Sequence, residues 1–482
     1  IMKKIIFLFI SVAFLNFQFG TIFGQELGGN YNERIDVVDP ALIEKSGVQW
    51  VRSFVNIMTI LNINNNQIIG YNEVAIDHLT GIDSLVKASQ VPLGNENVKL
   101  IFSLKLQFKA AMGRVPVPNS AESSYIIEAI KKLLEKNALA EHIDILVVGN
   151  EPMWETPTDN QNINNMIQFT NQLIDSVDSW SNQIENWNYD IYAGALNRFS
   201  DLTGNQIRNE VLYLAKNNPK VKGLDIHSHI KFAYEIQNDL AMLRDDENFT
   251  KEVIVTEFSL HRMFQQHKED QLGVWGIQNG YSSTMKLYEW LNIVIENAEN
   301  GTPIDKETFL SYFKSTNWYP DTWVEDYWNT FKARNVRAAT YGLIREKDLS
   351  FRLGPDKPMW ILNAVYNEAL FSTDDEGFFE TNPLVYPTFR RILDGTLDVQ
   401  ESKTEWNDLK IYPNPAQSQQ ITVSEVKPGS VYEIINLQGK TVLQGINRRP
   451  VFRVNVSSLN EGFYLIRLHN EGKILYKSFV IS

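Results

Sequence analysis

The chain has 482 residues, 43% of them hydrophobic and 21% charged, enough for one large core and a smaller second domain. Its formal net charge is −13, which argues against nucleic acid or an anionic membrane surface as the partner, since both need clustered Lys and Arg. It contains no cysteine, which excludes disulfides, thiolate metal sites and a thiol nucleophile.

Lys3-Lys4 precede an apolar run from Ile5 to Leu15, followed by small residues at Gly20 and Gly24. This order reads as a signal peptide over residues 1–24, with cleavage before Gln25. The apolar run is too short to span a bilayer, and no later segment is apolar enough, so no transmembrane segment is expected in the mature protein.

From residue 25 onward, strand-like and helix-like patterns alternate. The expected strands are Glu26 to Tyr31, Val48 to Asn56, Asn97 to Phe108, Ile143 to Glu151, Tyr189 to Asn197, Gly223 to Ile230, Glu252 to Phe258 and Val336 to Ile344. Several are near-continuous Val/Ile/Leu runs, as in a parallel sheet buried on both faces. Helical spacing marks Ser123 to Glu135, Met166 to Val177 and Thr284 to Asn297. Eight strands alternating with helices predict a (β/α)8 barrel over residues 25–393. The rival, a doubly wound open sheet, lacks a Gly-rich phosphate loop after any strand. The longest insertion, residues 259–335, is rich in Trp and Tyr, and Trp318-Tyr-Pro-Asp-Thr-Trp323 reads as a loop. A polar linker is expected at 394–408. Short alternating strands then predict a small β-sandwich over 409–482.

Two acids carry the chemistry. Glu151 closes the apolar run Ile143-Asp-Ile-Leu-Val-Val-Gly-Asn-Glu151, and Glu257 closes Glu252-Val-Ile-Val-Thr-Glu257. The ends of barrel strands form the rim where active sites sit. By strand count the acids fall on the fourth and seventh strands, across the mouth from each other. A pair of carboxyl groups is the machinery of glycosidic bond cleavage, one as proton donor and one as nucleophile or base. Their separation separates the outcomes: about 5 to 5.5 Å for retention against about 6.5 to 9.5 Å for inversion.

Val148-Gly-Asn-Glu-Pro152 and Ile254-Val-Thr-Glu-Phe258 resemble the paired motifs of the clan A glycoside hydrolases. That resemblance implies Glu151 as acid/base, Glu257 as nucleophile and Asn150 on the sugar hydroxyl beside the anomeric carbon. It further implies that Arg52, in Trp50-Val-Arg-Ser-Phe54, sits near the nucleophile, and that His227 and His229 of Asp225-Ile-His-Ser-His229 line the cleft. Strand alternation puts Asp225, His227 and His229 on one face. In that clan the eighth strand supplies a Trp that stacks on the sugar; here Tyr341 stands in its place. Trp318 and Trp323 are the expected stacking wall.

The tail resembles the C-terminal sorting domain of the type IX secretion (Por) system. The matching pieces are Tyr412-Pro-Asn-Pro415, Ile435-Asn-Leu-Gln-Gly439, Leu459-Asn-Glu-Gly-Phe-Tyr-Leu465 and Lys477-Ser-Phe-Val-Ile481. The resemblance implies export by that machinery to the medium or the outer surface. The sequence therefore predicts a secreted retaining β-glycoside hydrolase, endo-acting on a plant or algal polysaccharide such as a β-glucan, xylan, mannan or agar-type galactan, with no cofactor and no metal. Two alternatives stay open: a metal-dependent barrel hydrolase using His227 and His229, and a non-catalytic polysaccharide-binding surface protein on a barrel scaffold.

Overall fold

The computed structural model of the chain describes residues 25–231, 233–396, 409–416, 420–424, 426, 429–436, 440–449, 451–470 and 473–481. The expected signal peptide, residues 397–408 of the expected linker and residues 437–439 of the Ile435–Gly439 motif lie outside the described residues.

Eight parallel strands close into a barrel. They are β1 (Glu26–Asn30), β2 (Trp50–Asn56), β3 (Lys99–Lys105), β4 (Ile145–Val148), β5 (Asp190–Asn197), β6 (Gly223–His229), β7 (Glu252–Ser259) and β8 (Val336–Gly342). Each pairs with the next, and β8 pairs with β1. All eight lie within three residues of the bounds expected from sequence. Helices α1 (Ala121–Glu135), α2 (Pro152–Glu155), α3 (Asn160–Gln183), α4 (Gln206–Asn217) and α5 (Ala233–Ala241) fall between strands. α3 starts six residues before the expected Met166, because Asp159 caps the helix by accepting from the Asn162 N–H and the turn it caps is too polar to show a period. The β7–β8 insertion is mostly helical: α6 (His261–His267), α7 (Leu287–Glu299), α8 (Lys306–Ser315) and α9 (Trp323–Ala333).

Alternation along the strands fills the barrel in layers. The lower layer is apolar: Trp50, Ile101, Ile145, Val147, Tyr192, Ile254 and Ala338 form one buried cluster. Two residues further along, the same strands present Arg52, Ser103, Thr256 and Thr340, all fully buried and all polar. On β4 and β5 the corresponding positions are Gly149 and Gly194. Gly149 has φ +108°, and a Cβ there would lie 2.2 Å from the Gly194 carbonyl oxygen. Only glycine fits, and the chain turns at once into Asn150 and Glu151.

One departure from alternation decides the site. On β7, Val255 faces outward and Thr256 inward, so Glu257 should face outward. The β6–β7 register shifts between Ile226 and His227, and the shifted register pairs His227 with Glu257. Glu257 therefore turns into the mouth, and Phe258 packs outward against Trp323, Tyr327, Phe331 and Tyr341. A bulge re-aims one side chain in this way without changing the strand.

The tail has its own core, including Ile421, Val423, Ile434, Val454, Ile466 and Phe479. Its strands are β9 (Lys410–Tyr412), β10 (Gln420–Ser424), β11 (Val431–Asn436), β12 (Thr441–Ile446), β13 (Phe452–Asn455), β14 (Gly462–Asn470) and β15 (Lys473–Ile481). They form two antiparallel sheets, ordered β9-β10-β13 and β12-β11-β14-β15.

Candidate active site

The polar layer carries Arg52, whose side chain is wholly buried and fully committed. Its Nη1 donates to Glu257 Oε1 at 2.7 Å, and to Asn30 and Asn32 at 3.3 and 3.4 Å. Nη2 donates to Asn150 Oδ1 at 2.8 Å and Nε to Ser103 at 3.3 Å. Asn150 in turn donates from Nδ2 to the buried Glu155 at 3.0 Å. Burial raises the Glu155 carboxyl above its usual range, against the pull of that hydrogen bond.

Glu257 also meets both histidines of β6. His229 Nε2 lies 3.2 Å from Oε2, and His227 Nε2 lies 3.7 Å from Oε1. Burial pushes the Glu257 carboxyl up, but the charge of His227, the Arg52 guanidinium and the His229 hydrogen bond together hold it well below the usual carboxylate range. It is ionised at neutral pH. Across the mouth, Glu151 Oε1 accepts from Asn197 Nδ2 and lies 3.1 Å from His227 Nδ1. One imidazole thus stands between the two acids.

The tautomer of that ring follows from its second partner. Thr256 Oγ1 donates to Asp225 Oδ2 at 2.6 Å, and the Thr256 N–H donates to Asp225 Oδ1 at 3.1 Å. With its proton on Asp225, Thr256 Oγ1 accepts from His227 Nε2–H at 3.1 Å. Nδ1 then faces Glu151 with a single proton between them, on the ring when Glu151 is ionised and on Glu151 when the ring is neutral. Burial opposes charge on both partners. The charge of Glu257 and the Glu151 hydrogen bond nevertheless raise His227, while the His227 hydrogen bond and charge lower Glu151. Groups so close titrate as a pair.

Arg52, Asn150, Glu151, His227, His229 and Glu257 are therefore brought together. Three expected residues make none of these contacts among the described residues. Tyr341 is buried beneath Phe258 and Trp323, on the outward face of β8, because Ala338 and Thr340 take the inward positions. Trp323 opens α9 rather than closing a loop, and is fully buried against Phe258 and Tyr341. Trp318 stacks on His267 at 4.3 Å and packs on Phe264 and Phe313, within the insertion. An aromatic not expected from the sequence is Trp360, after β8, which packs T-shaped on His229 at 5.0 Å and stacks on His261 at 3.6 Å. It was missed because the 20 residues from Glu346 to Val365, between the short strands Ile344–Arg345 and Tyr366–Asn367, carry no period that marks one exposed ring. Asn197 was also missed; its one signal in the sequence is its place as the last residue of an expected strand.

Glu151, His227 and His229 each offer an atom within 4.8 Å of the others, a set able to hold a cation. All three are already engaged: His229 Nδ1 with Ser259 at 2.8 Å and Nε2 with Glu257, His227 Nδ1 with Glu151 itself.

Residues 410–482 match the family described as the secretion system C-terminal sorting domain. The tail accordingly directs the chain by type IX export to the medium or the cell surface. No curated protein matches the chain. Among solved structures, a β-glucuronidase of Bacteroides uniformis is similar at 10% identity and TM-score 0.41, covering 95% of this chain and 46% of that one. The chain thus spans less than half the length of that enzyme. An endo-β1,6-glucanase is similar at 11% identity and TM-score 0.39, covering 95% of this chain and 89% of that one. PorZ, a type IX secretion surface component of Porphyromonas gingivalis, is similar over 17% of this chain and 12% of its own, at 17% identity and TM-score 0.15. No helix among the described residues is long and apolar enough to cross a membrane.

Proposed function

We propose that the chain is a secreted retaining β-glycoside hydrolase that cuts polysaccharide outside the cell, with Glu257 as nucleophile and Glu151 as acid/base. The observation that carries this reading is the single imidazole of His227 between two carboxyl groups, of which Glu257 is also bound by Arg52 and His229. Glu257 is flanked by a guanidinium and two histidines, which keep it an anion able to attack. Glu151 shares one proton with His227, and that proton is available to the leaving oxygen. The guanidinium of Arg52 on Glu257 supports giving these two like acids different roles.

In the first step a Glu257 oxygen bonds to the anomeric carbon, and the bond to the leaving oxygen breaks with its electron pair. That oxygen takes the proton from Glu151. In the second step Glu151 takes a proton from water as the water oxygen attacks the anomeric carbon and frees Glu257. Asn150 and His229 hold the sugar in register, and no further group is required. An export tail suits an enzyme whose substrate is too large to enter the cell, and endo-action on a β-glucan, xylan, mannan or galactan follows from that setting.

The test is a screen of the purified protein against those four polymers. Product anomers are followed by NMR, with Glu257→Gln alongside. Retained configuration and loss of cleavage in the variant are expected. Inverted product, or an active Glu257→Gln, refutes the assignment. The Glu151–His227–His229 set keeps a metal-dependent hydrolase as the second reading.

A further inference from the structure

Two exposed indoles neighbour the two acids, one beside each. Trp360 belongs to the nucleophile side through His229. Trp154 belongs to the acid/base side: it lies in α2, three residues after Glu151, and its N–H donates to the Glu151 carbonyl at 2.8 Å. It is 47% exposed on a rim where most Trp side chains are buried. One face of its ring is covered by the Arg198 guanidinium at 5.4 Å. Arg198 directly follows Asn197, the residue that donates to Glu151, and its own N–H donates to the His227 carbonyl at 2.9 Å. It holds φ +49°, a left-handed backbone that non-glycine residues rarely adopt, so a local cost is accepted to aim this side chain.

The guanidinium is under-committed. The nearest carboxylate is Asp201 at 3.9 Å, and that oxygen is already taken by Arg262 at 2.8 Å. Among the described residues no hydrogen bond from the Arg198 side chain is formed. The loop is nonetheless held in place, because the Ser200 N–H donates to the buried Asp239 at 2.7 Å. A fixed cation lacking a close anion, laid over an exposed ring, is a preorganised half of a binding site.

Resting on the hydrolase reading, we infer that Trp154 and Arg198 form the leaving-group subsite, and that it takes a sugar bearing a carboxylate or a sulfate ester. The chemistry places it there. The group that protonates the leaving oxygen faces the sugar that departs, and Trp154 and Arg198, next to Glu151 and outside the Arg52 network that holds Asn150 and Glu257, are the groups open to that sugar. The indole face offers a platform to the sugar ring, and the guanidinium offers paired donors to an anion at its edge.

The experiment measures binding on the full chain carrying Glu257→Gln, so that it does not depend on turnover. Matched probes separate the two anion sources: unsubstituted xylan oligosaccharides against glucuronoxylan oligosaccharides for the carboxylate, and unsulfated β-carrageenan oligosaccharides against κ-carrageenan oligosaccharides for the sulfate. In at least one pair the anionic member is expected to bind about ten-fold tighter, and Arg198→Gln to erase that difference. Trp154→Ala is expected to weaken both members of the pair. Equal binding within both pairs, binding of no probe, or an Arg198→Gln effect alike on neutral and anionic members overturns the inference. The hydrolase reading fails separately, if the unmodified protein binds these probes but cleaves none of them.

Discussion

Replacing Arg52 with Met removes the guanidinium bound to Glu257 while keeping most of the buried volume. The structure sets the size of the effect. Two short hydrogen bonds are lost, at 2.7 Å to Glu257 and 2.8 Å to Asn150, together with three longer ones. Breaking one side of a buried charge pair costs about 3–5 kcal/mol, because the remaining charge stays desolvated. At the lower end of about 2–4 °C per kcal/mol this lowers Tm by roughly 8 °C. The linkage has a definite sign. Glu257 is depressed, so its contribution to stability is present above the unfolded value of about 4.3 and is lost as pH falls through the folded value. Without Arg52 that folded value rises by about 1–3 units, the range an adjacent cation accounts for. The stability gained from Glu257 at neutral pH shrinks, and its loss on acidification begins at higher pH. The acid limb of kcat/KM moves up by the same amount. Thermal melts at pH 4 to 7 and a pH–rate profile read both effects, with Arg52→Lys as the conservative control. An acid limb that stays in place in a folded Arg52→Met protein would refute the claim that Arg52 sets the ionisation of Glu257.

Thr256→Val removes the acceptor for His227 Nε2–H. His227 is raised, so its contribution is present below about 6.5 and lost as pH rises through its folded value. Loss of one hydrogen bond to a charged group is worth about 1.5–3 kcal/mol, and the basic limb of kcat/KM is expected to move down by about 1–2 units; an unmoved limb counts against the shared-proton account. Glu151→Ala is expected to slow cleavage of sugar leaving groups by about 10²–10⁴-fold and that of nitrophenyl leaving groups by much less, the difference measured by paired initial rates. Equal losses would remove Glu151 from the acid role. Incubation with a chelator followed by dialysis is expected to leave turnover unchanged; lost activity restored by a divalent metal would favour the Glu151–His227–His229 cation site.

Apolar runs made the eight strands legible, because strands buried on both faces show continuous Val, Ile and Leu. The two acids were legible for the same reason, each being the first carboxylate past such a run. Alternation also placed Asp225, His227 and His229 together. The same rule applied to β8 points Tyr341 outward, since Ala338 and Thr340 take the interior. Trp323 was unreadable without the register shift that turns Phe258 outward and gives that indole a buried seat. Arg198 and Trp154 were hidden more deeply. Nothing local distinguishes a rim cation with a distant anion from one that is well paired, and the difference lies in Arg262, 64 positions away along the chain.

The chain of contacts from Glu155 through Asn150 to Arg52 fixes more than position. The carbonyl of the Asn150 amide is taken by Arg52, and one of its two N–H bonds by Glu155. The one donor Asn150 has left for a ligand is its second N–H, in an amide whose bonds to Arg52 and Glu155 leave it no freedom to flip. The sugar atom it meets must therefore bring a lone pair. A hydroxyl or an acetamido carbonyl satisfies it, whereas a bare ammonium presents donor to donor and a deoxy position leaves the N–H dry and unmatched. On the proposed hydrolase reading, a polar relay that ends at the nucleophile thus also acts as a filter on which sugars can settle beside it.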